Sequence, residues 1–235
     1  MSSPAKYVAE PEDWAQPLQR ENLSDRAYLS LRDALMRGQL RPGERLRLRP
    51  VAARFGISPT PMREALLRLV VEKALALDAR GTVMVPQLTL DQLLEIRAIR
   101  VDLEGKAAAA AAERATVDEI AALEAIHDQI LSAHGQQAWG TAVELNTRFH
   151  LDLCRLGGLP ITFEIVENLW VRCGPILSHL YDAGVPEDWD PHPHLRLIRA
   201  LRERDPDSAR EAMRVDIEHG GHGLLAHVAQ NPPVE

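Results

Sequence analysis

The reading starts from Val51-Ala-Ala-Arg-Phe-Gly-Ile-Ser-Pro-Thr-Pro-Met-Arg-Glu-Ala-Leu-Leu-Arg-Leu69. Ala52 is small where two helices must cross closely, and Gly56 supplies a tight turn between them. Ile57, Leu66 and Leu69 are placed to pack inward. Ser58 stands where an N-cap is needed. Pro59 and Pro61 fall in the first turn of the second helix, where a backbone N–H has no intrahelical partner. The N–H groups of Thr60 and Met62 then lie near a positive helix end, suited to a phosphate. Arg63 projects from the same portion, where a recognition helix meets base edges, and its fork matches guanine O6 and N7. The spacing predicts a helix-turn-helix.

Upstream, Ala27, Leu31, Leu35 and Met36 repeat at helical spacing from Leu23, with Ser24 as a candidate N-cap. Gly38 stops that helix and Pro42-Gly43 makes a turn. A short helix is expected over 51–55 and a longer one from Ser58 to about Glu72. Two β-prone pieces, 75–78 and 82–85, flank Arg80-Gly81 as a hairpin, a wing able to approach the DNA backbone or minor groove. Residues 1–20 contain Pro4, Pro11 and Pro17 without periodicity and read as a flexible arm. The DNA-binding unit is thus expected over 21–86.

After Pro86 the pattern is helical throughout, so the chain is expected to be mainly α. Six segments are expected, near 89–113, 116–133, 138–155, 160–183, 191–204 and 206–227. Breaks fall at Gly135, Gly157-Gly158, Gly184 to Pro186 and Asp205-Pro206. Residues 87–235 read as an all-helical effector-binding and dimerisation domain. The longest apolar stretch, Ala107 to Ala112, is far too short to span a bilayer, and no export signal precedes it. A cytoplasmic protein without membrane contact is expected. Cys154 and Cys173 lack metal-ligand spacing and read as reduced core thiols.

The net charge of −7 hides a segregation. Between Arg37 and Arg68 there are eight arginines against two glutamates, a net +6, which leaves about −13 for the remainder. Such a basic segment on an acidic protein fits a DNA-contacting head, although a solvated charged face has the same composition.

Residues 24 to 86 resemble the DNA-binding domain of the GntR family of regulators. The resemblance rests on Arg41-Pro-Gly-Glu-Arg-Leu46 leading into the motif, and on Ser58-x-Thr60-Pro61-x-Arg63-Glu-Ala-Leu66 beginning the recognition helix. It implies that Arg49, Thr60 and Arg63 are principal DNA contacts, with Ser58 and Gly81 assisting. Pro61 and Arg80 complete the candidate set. Pro59 stands where the family often has arginine, and Pro50 where glutamate is common. A winged helix that docks a protein is the alternative.

In the C-terminal half, Asn146 and His150 are spaced i, i+4, so both point from one helix face. His194 and Asp216 lie equally far from the Asp205-Pro206 turn, at the same height if their helices form an antiparallel hairpin. Two such pairs on facing helices make a candidate metal site inside a bundle. Imidazole with carboxylate or amide oxygen suits a first-row divalent ion without fixing which. His127, His134, His179, His192 and His227 read as surface or helix-end residues. Leu103, Leu153, Leu169, Trp170 and Leu201 read as core.

This half resembles the FCD ligand-binding domain of the FadR subfamily of GntR regulators. The marks are Arg100-x-x-x-Glu104 before the alanine run, Asn146-x-x-Phe149-His150, and His194 before Leu197-Ile198-x-Ala200. The resemblance implies a helical bundle in which a carboxylate or amide and three histidines bind zinc or a similar transition metal. Here Asp216 replaces the last histidine, and His219 lies one turn on. The same polar groups could also bind an effector without metal. Arg97 and Arg100 would clamp the carboxylate of an organic acid, with His219 nearby, or pair with Glu95 or Glu104 on the helix surface.

The function expected is a ligand-responsive homodimer, more often a repressor, acting on a palindromic operator of a metabolic operon. A metal-dependent enzyme using His150 and His194 is the alternative, but no base or nucleophile is marked beside an open metal position. A scaffold with a degenerate sensor is a third reading.

Overall fold

The computed structural model describes residues 23–181 and 192–233. The arm expected over 1–20 and the break expected at Gly184 to Pro186 lie outside the described residues. The N-terminal unit runs α1 (Leu23–Met36), β1 (Arg45–Leu46), α2 (Leu48–Arg54), α3 (Pro59–Val71), β2 (Ala76–Leu77) and β3 (Val83–Met84). α1 buries Ala27, Tyr28, Leu31 and Leu35, one stripe at helical spacing. The stripe packs on Met62, Leu66 and Leu69 of α3 and on Ala52 of α2. Between α2 and α3, Gly56 takes φ +65°, the left-handed conformation that a tight turn requires.

Three details differ from expectation. α1 already begins at Leu23, which places Ser24 in its first turn rather than before it. Ser58 occupies the N-cap position of α3, yet its side chain accepts no hydrogen bond there, so Pro59 and Pro61 carry the helix start. The third strand, β1, was not expected. It pairs antiparallel with β3, Arg45 opposite Met84 and Leu46 opposite Val83, and makes β3 central in the order β1-β3-β2. A two-residue strand leaves no alternation to read. At the wing tip Asp78 Oδ1 accepts from the backbone N–H of Arg80 (2.9 Å) and Thr82 (2.8 Å), and Gly81 turns at φ +74°.

The C-terminal unit comprises α4 (Leu90–Arg114), α5 (Val117–Gly135), α6 (Trp139–Leu156), α7 (Pro160–Leu177), α8 (Pro193–Glu203), α9 (Pro206–Gly220) and α10 (His222–Gln230). The last segment expected is two helices, because the chain turns at Gly220-Gly221. α4 and α5 start on capping boxes, Thr89 with Gln92 and Thr116 with Glu119. α4 lies at the centre, packed on α6, α7 and α9. The alanine run explains how. Ala107, Ala108, Ala111 and Ala112 are buried, and a Cβ at Gly157 would sit 2.6 Å from the Ala107 carbonyl oxygen, so backbones touch there. Cys154 and Cys173 are buried and free. Among the described residues no helix is long and apolar enough to cross a membrane.

The two units are docked through the end of α1. It crosses α7 at Gly174, where a Cβ would fall 2.2 Å from the Leu35 carbonyl oxygen and 2.7 Å from Met36 Cα. Val171 of α7 completes the core of the N-terminal unit. Polar contacts frame this crossing. Arg32 reaches Glu167 (2.8 Å) and Asn168 (3.0 Å), Gln39 reaches Glu144 (2.6 Å), and the Thr147 hydroxyl donates to the Met36 carbonyl (3.4 Å).

Candidate functional site

Two sites emerge, one on the surface of the N-terminal unit and one buried in the C-terminal helices. On the surface, Arg49, Ser58, Thr60, Arg63, Arg80 and Gly81 are exposed and Pro61 is half-buried. Arg49, Arg63 and Arg80 make no ion pair among the described residues, so their guanidinium groups remain available to a polyanion. Arg63 and Gly81 line one groove with Arg47. Recognition helix and wing therefore open onto the same space. Arg68 behaves differently. It pairs with Asp25 (3.2 Å) and Glu72 (3.4 Å) and lies over the Tyr28 ring (3.7 Å), so it braces α1 against α3.

The buried site is built around Glu104, on α4. Of the two readings of Arg100, a buried clamp or a surface pair with Glu104, the structure combines the burial of the first with the partner of the second: both side chains are buried, Glu104 completely. The sequence held the signal. Positions 96, 100, 104 and 108 follow one another at i, i+4, and Ile96 and Ala108 mark that face as the buried one. Glu104 takes three donors: Arg100 Nε to Oε1 (2.6 Å), Trp170 Nε1 to Oε1 (3.0 Å) and His150 Nδ1 to Oε2 (2.8 Å). The Arg100 guanidinium also lies 4.0 Å over the Trp170 ring. Trp170 is thus part of the site as well as core.

With Nδ1 held by Glu104, His150 presents Nε2 to Asp216 Oδ2 at 3.0 Å. His194 Nε2 lies 3.4 Å from Asp216 Oδ1, with its ring stacked on Phe149 at 3.8 Å. One ligand atom from each of His150, His194 and Asp216 lies within 4.8 Å of the others. The hairpin geometry expected about Asp205-Pro206 is therefore present. Asn146, His150 and Asp216 line a space of about 40 Å³ together with Arg100, Trp170 and Gly221. Arg97, half-buried, and His219, exposed, do not line it. The structure does not bring those two to the cavity.

Electrostatics separates the two histidines. Burial alone would lower the His150 pKa, but hydrogen bonds to Asp216 and Glu104 outweigh it and push it up to about 9. Burial would raise Glu104, yet the Arg100 charge and His150 hold it down to about 2. Burial would raise Asp216 too, but the charged His150 ring that hydrogen-bonds it holds it below the carboxylate range. For His194 burial dominates and keeps the ring neutral, with neither nitrogen hydrogen-bonded. A neutral buried imidazole without a partner, beside a carboxylate and a second histidine fixed through Nδ1, fits a divalent transition metal. Glu104 then acts as the carboxylate behind a ligating histidine.

His127, read as a surface or helix-end residue, is instead buried in the middle of α5; His192 does stand at a helix end, as the N-cap of α8, but is buried too, and with His194 the two form a second close group. His127 sits on α5 amid Ile126 and Ile130, and a lone ring on an apolar helix gave no sign of its neighbours across the bundle.

Over residues 23–85 the chain matches the family model for "Bacterial regulatory proteins, gntR family", and over residues 95–219 that for the FCD domain. It is 36% identical over 186 residues to the HTH-type transcriptional regulator McbR of Escherichia coli K12, covering 78% of this chain and 84% of that protein. The HTH-type transcriptional repressor RspR of the same organism is 25% identical over 192 residues, covering 81% and 84%. Among solved structures, E. coli McbR/YncC superposes with a TM-score of 0.79 at 32% identity, over 90% of this chain and 99% of that one. A GntR regulator from Rhodococcus sp. RHA1 superposes with a TM-score of 0.72 at 20% identity, over 89% and 99%, which is a likeness of fold alone.

Proposed function

We propose, from the premise that the chain belongs to the GntR family of bacterial transcriptional regulators, that it is a repressor released from DNA by a small organic acid. Its relatives are DNA-binding regulators and not enzymes, which sets aside the enzyme weighed from His150 and His194. On this reading residues 21–86 bind operator DNA and residues 87–235 sense and dimerise. Arg49, Thr60 and Arg63 carry the principal contacts, Ser58, Pro61, Arg80 and Gly81 the supporting ones. A homodimer presents two recognition helices about one DNA turn apart, which calls for a palindromic operator. The protein acts in the cytoplasm.

In the sensing half, Asn146, His150, His194 and Asp216 would hold the divalent metal, zinc or a similar ion. Bound there, it supplies a Lewis-acidic cation for a carboxylate. Arg100 adds a fixed positive charge beside it, already oriented by Glu104 and Trp170. Gly220-Gly221 lines the cavity at the corner between α9 and α10. A carboxylate larger than the roughly 40 Å³ space would require its wall to open, and Leu224 of α10 is part of that wall.

One observation carries the link between the halves. α6 and α7 supply Asn146, His150 and Trp170 to the buried site, and the same helices supply Thr147 and Gly174 to the docking of α1. A shift of either helix on effector binding repositions the head, and the population moves away from the arrangement that fits the operator. Gly174→Ala tests this. The added methyl cannot fit against the Leu35 carbonyl, so head and body should part, with the head giving up only Val171 from its core. The variant is expected to bind DNA but to lose effector response in a gel shift. Retention of full response would break the link.

A further inference from the structure

We infer that His127, His192 and His194 form a second metal site, a three-imidazole centre for a late first-row divalent cation such as Zn²⁺, Ni²⁺ or Cu²⁺. It lies beside the His150 and Asp216 group and shares His194 with it, a residue that does not line the cavity of that first site. It does not rest on the effector reading above.

The geometry comes first. One ring nitrogen from each of the three histidines lies within 4.8 Å of the others, and all three side chains are buried. Ring centroids are 4.9 Å apart for His127–His192, 5.5 Å for His127–His194 and 4.5 Å for His192–His194. The rings meet at 62°, 69° and 55°, edge to face and tilted rather than stacked, so nitrogens can converge on one point. A cation bound at about 2.0–2.1 Å from each nitrogen needs small side-chain rotations from here.

The second observation is an unmet bonding demand. His127 is fully buried, and neither of its ring nitrogens has a hydrogen-bond partner among the described residues. Buried polar atoms are paired in native proteins with few exceptions, and an imidazole left without any partner calls for a ligand. His194 makes the same demand with both nitrogens.

The chemistry selects the cation. Three imidazoles without a carboxylate disfavour Mg²⁺ and Ca²⁺, which take oxygen, and favour zinc, nickel and copper. His192 Nδ1 accepts from the His194 backbone N–H at the start of α8 (3.2 Å). Ligation through Nε2 moves the ring proton to Nδ1 and gives up that one bond, so occupancy is felt by the first turn of α8. On the outer side of His192, His134 Nε2 and the Tyr181 hydroxyl are also buried and unpartnered among the described residues. They can take a metal-bound water.

The test uses the full chain, Zn²⁺ for thermal shift and Co²⁺ for visible absorption. His127→Phe keeps a ring and removes both nitrogens, so it should fold at least as stably as the parent without metal. In the His150→Ala/Asp216→Ala background Co²⁺ should still bind with a ligand-field band of nitrogen ligation. Adding His127→Phe to that background should weaken binding by about tenfold or more. If the double variant fails to fold, the His127→Phe single variant decides: it must lose part of the Zn²⁺ capacity or affinity of the parent. Metal binding that is indifferent to His127 overturns the second site. Binding that depends on His127 and not on His150 or Asp216 overturns the first site instead.

Discussion

Replacing Glu104 with alanine is expected to lower the unfolding midpoint of the metal-free protein by roughly 6–20 °C. Breaking a buried ion pair from one side costs about 3–5 kcal/mol, and a chain of this size loses about 2–4 °C per kcal/mol. The reason lies in what stays behind. Arg100 is buried beside Glu104, His150 carries a charge between two carboxylates, and the Trp170 N–H is turned inward. Arg100 and Trp170 lose their carboxylate acceptor at once, and His150 keeps only Asp216. Glu104→Gln should cost less, because its carbonyl can still accept from Arg100 and Trp170 while its amide turns to His150, whose Nδ1 must then give up its proton. Glu104→Ala should also weaken metal binding at His150 by about 10–100-fold, since nothing then fixes the ring through Nδ1. Thermal denaturation and metal titration of both variants check this. A Glu104→Ala midpoint within about 1 °C of the parent, far below the shift expected for a broken buried pair, would show that the carboxylate organises nothing.

Arg63→Ala is expected to weaken specific operator binding by about 1–3 kcal/mol, roughly 5–150-fold, and to relax preference at one base position. Arg63 is exposed near the N-terminus of α3, in the groove that Gly81 of the wing also lines, and it has no ion pair among the described residues. Arg68→Ala is the control, since that side chain is tied to Tyr28, Asp25 and Glu72. It should alter the stability of the head and leave DNA affinity nearly intact. Fluorescence anisotropy at several salt concentrations separates the cases. A loss from Arg63→Ala that is uniform across sequences, with a salt slope lower by about one, would make it a phosphate contact rather than a base reader.

The head was legible because its signals are local. Gly56, the Ser58-Pro59 start and the Arg80-Gly81 turn each act within a few residues, and the helices between them follow their apolar stripes. β1 escaped because its partner lies almost forty residues on and the strand is two residues long. The metal-competent pairs were legible for a related reason. Asn146 and His150 share one helix face, and His194 and Asp216 share a hairpin whose turn could be counted. Glu104 was visible in the sequence, but its pairing with Arg100 at i, i+4 has the same spacing on a surface as in a core. Only the three-dimensional neighbours His150 and Trp170 make it the centre of the site. His127 and His192 belong to different helices with no shared turn, so their meeting depends on how α5 packs beside α8. That packing is set by distant apolar residues, among them Ile130, Leu197 and Leu201.

The most direct test of a sensing body coupled to a DNA-binding head is anisotropy of a duplex selected by the parent protein from a random pool. The complex would be titrated with Zn²⁺ and then with mono-, di- and tricarboxylates. At least one carboxylate should raise the dissociation constant by about tenfold or more, and should fail to do so with His150→Ala. A carboxylate that calorimetry shows bound at the Arg100 and His150 site, yet leaves DNA affinity unchanged, would contradict the account.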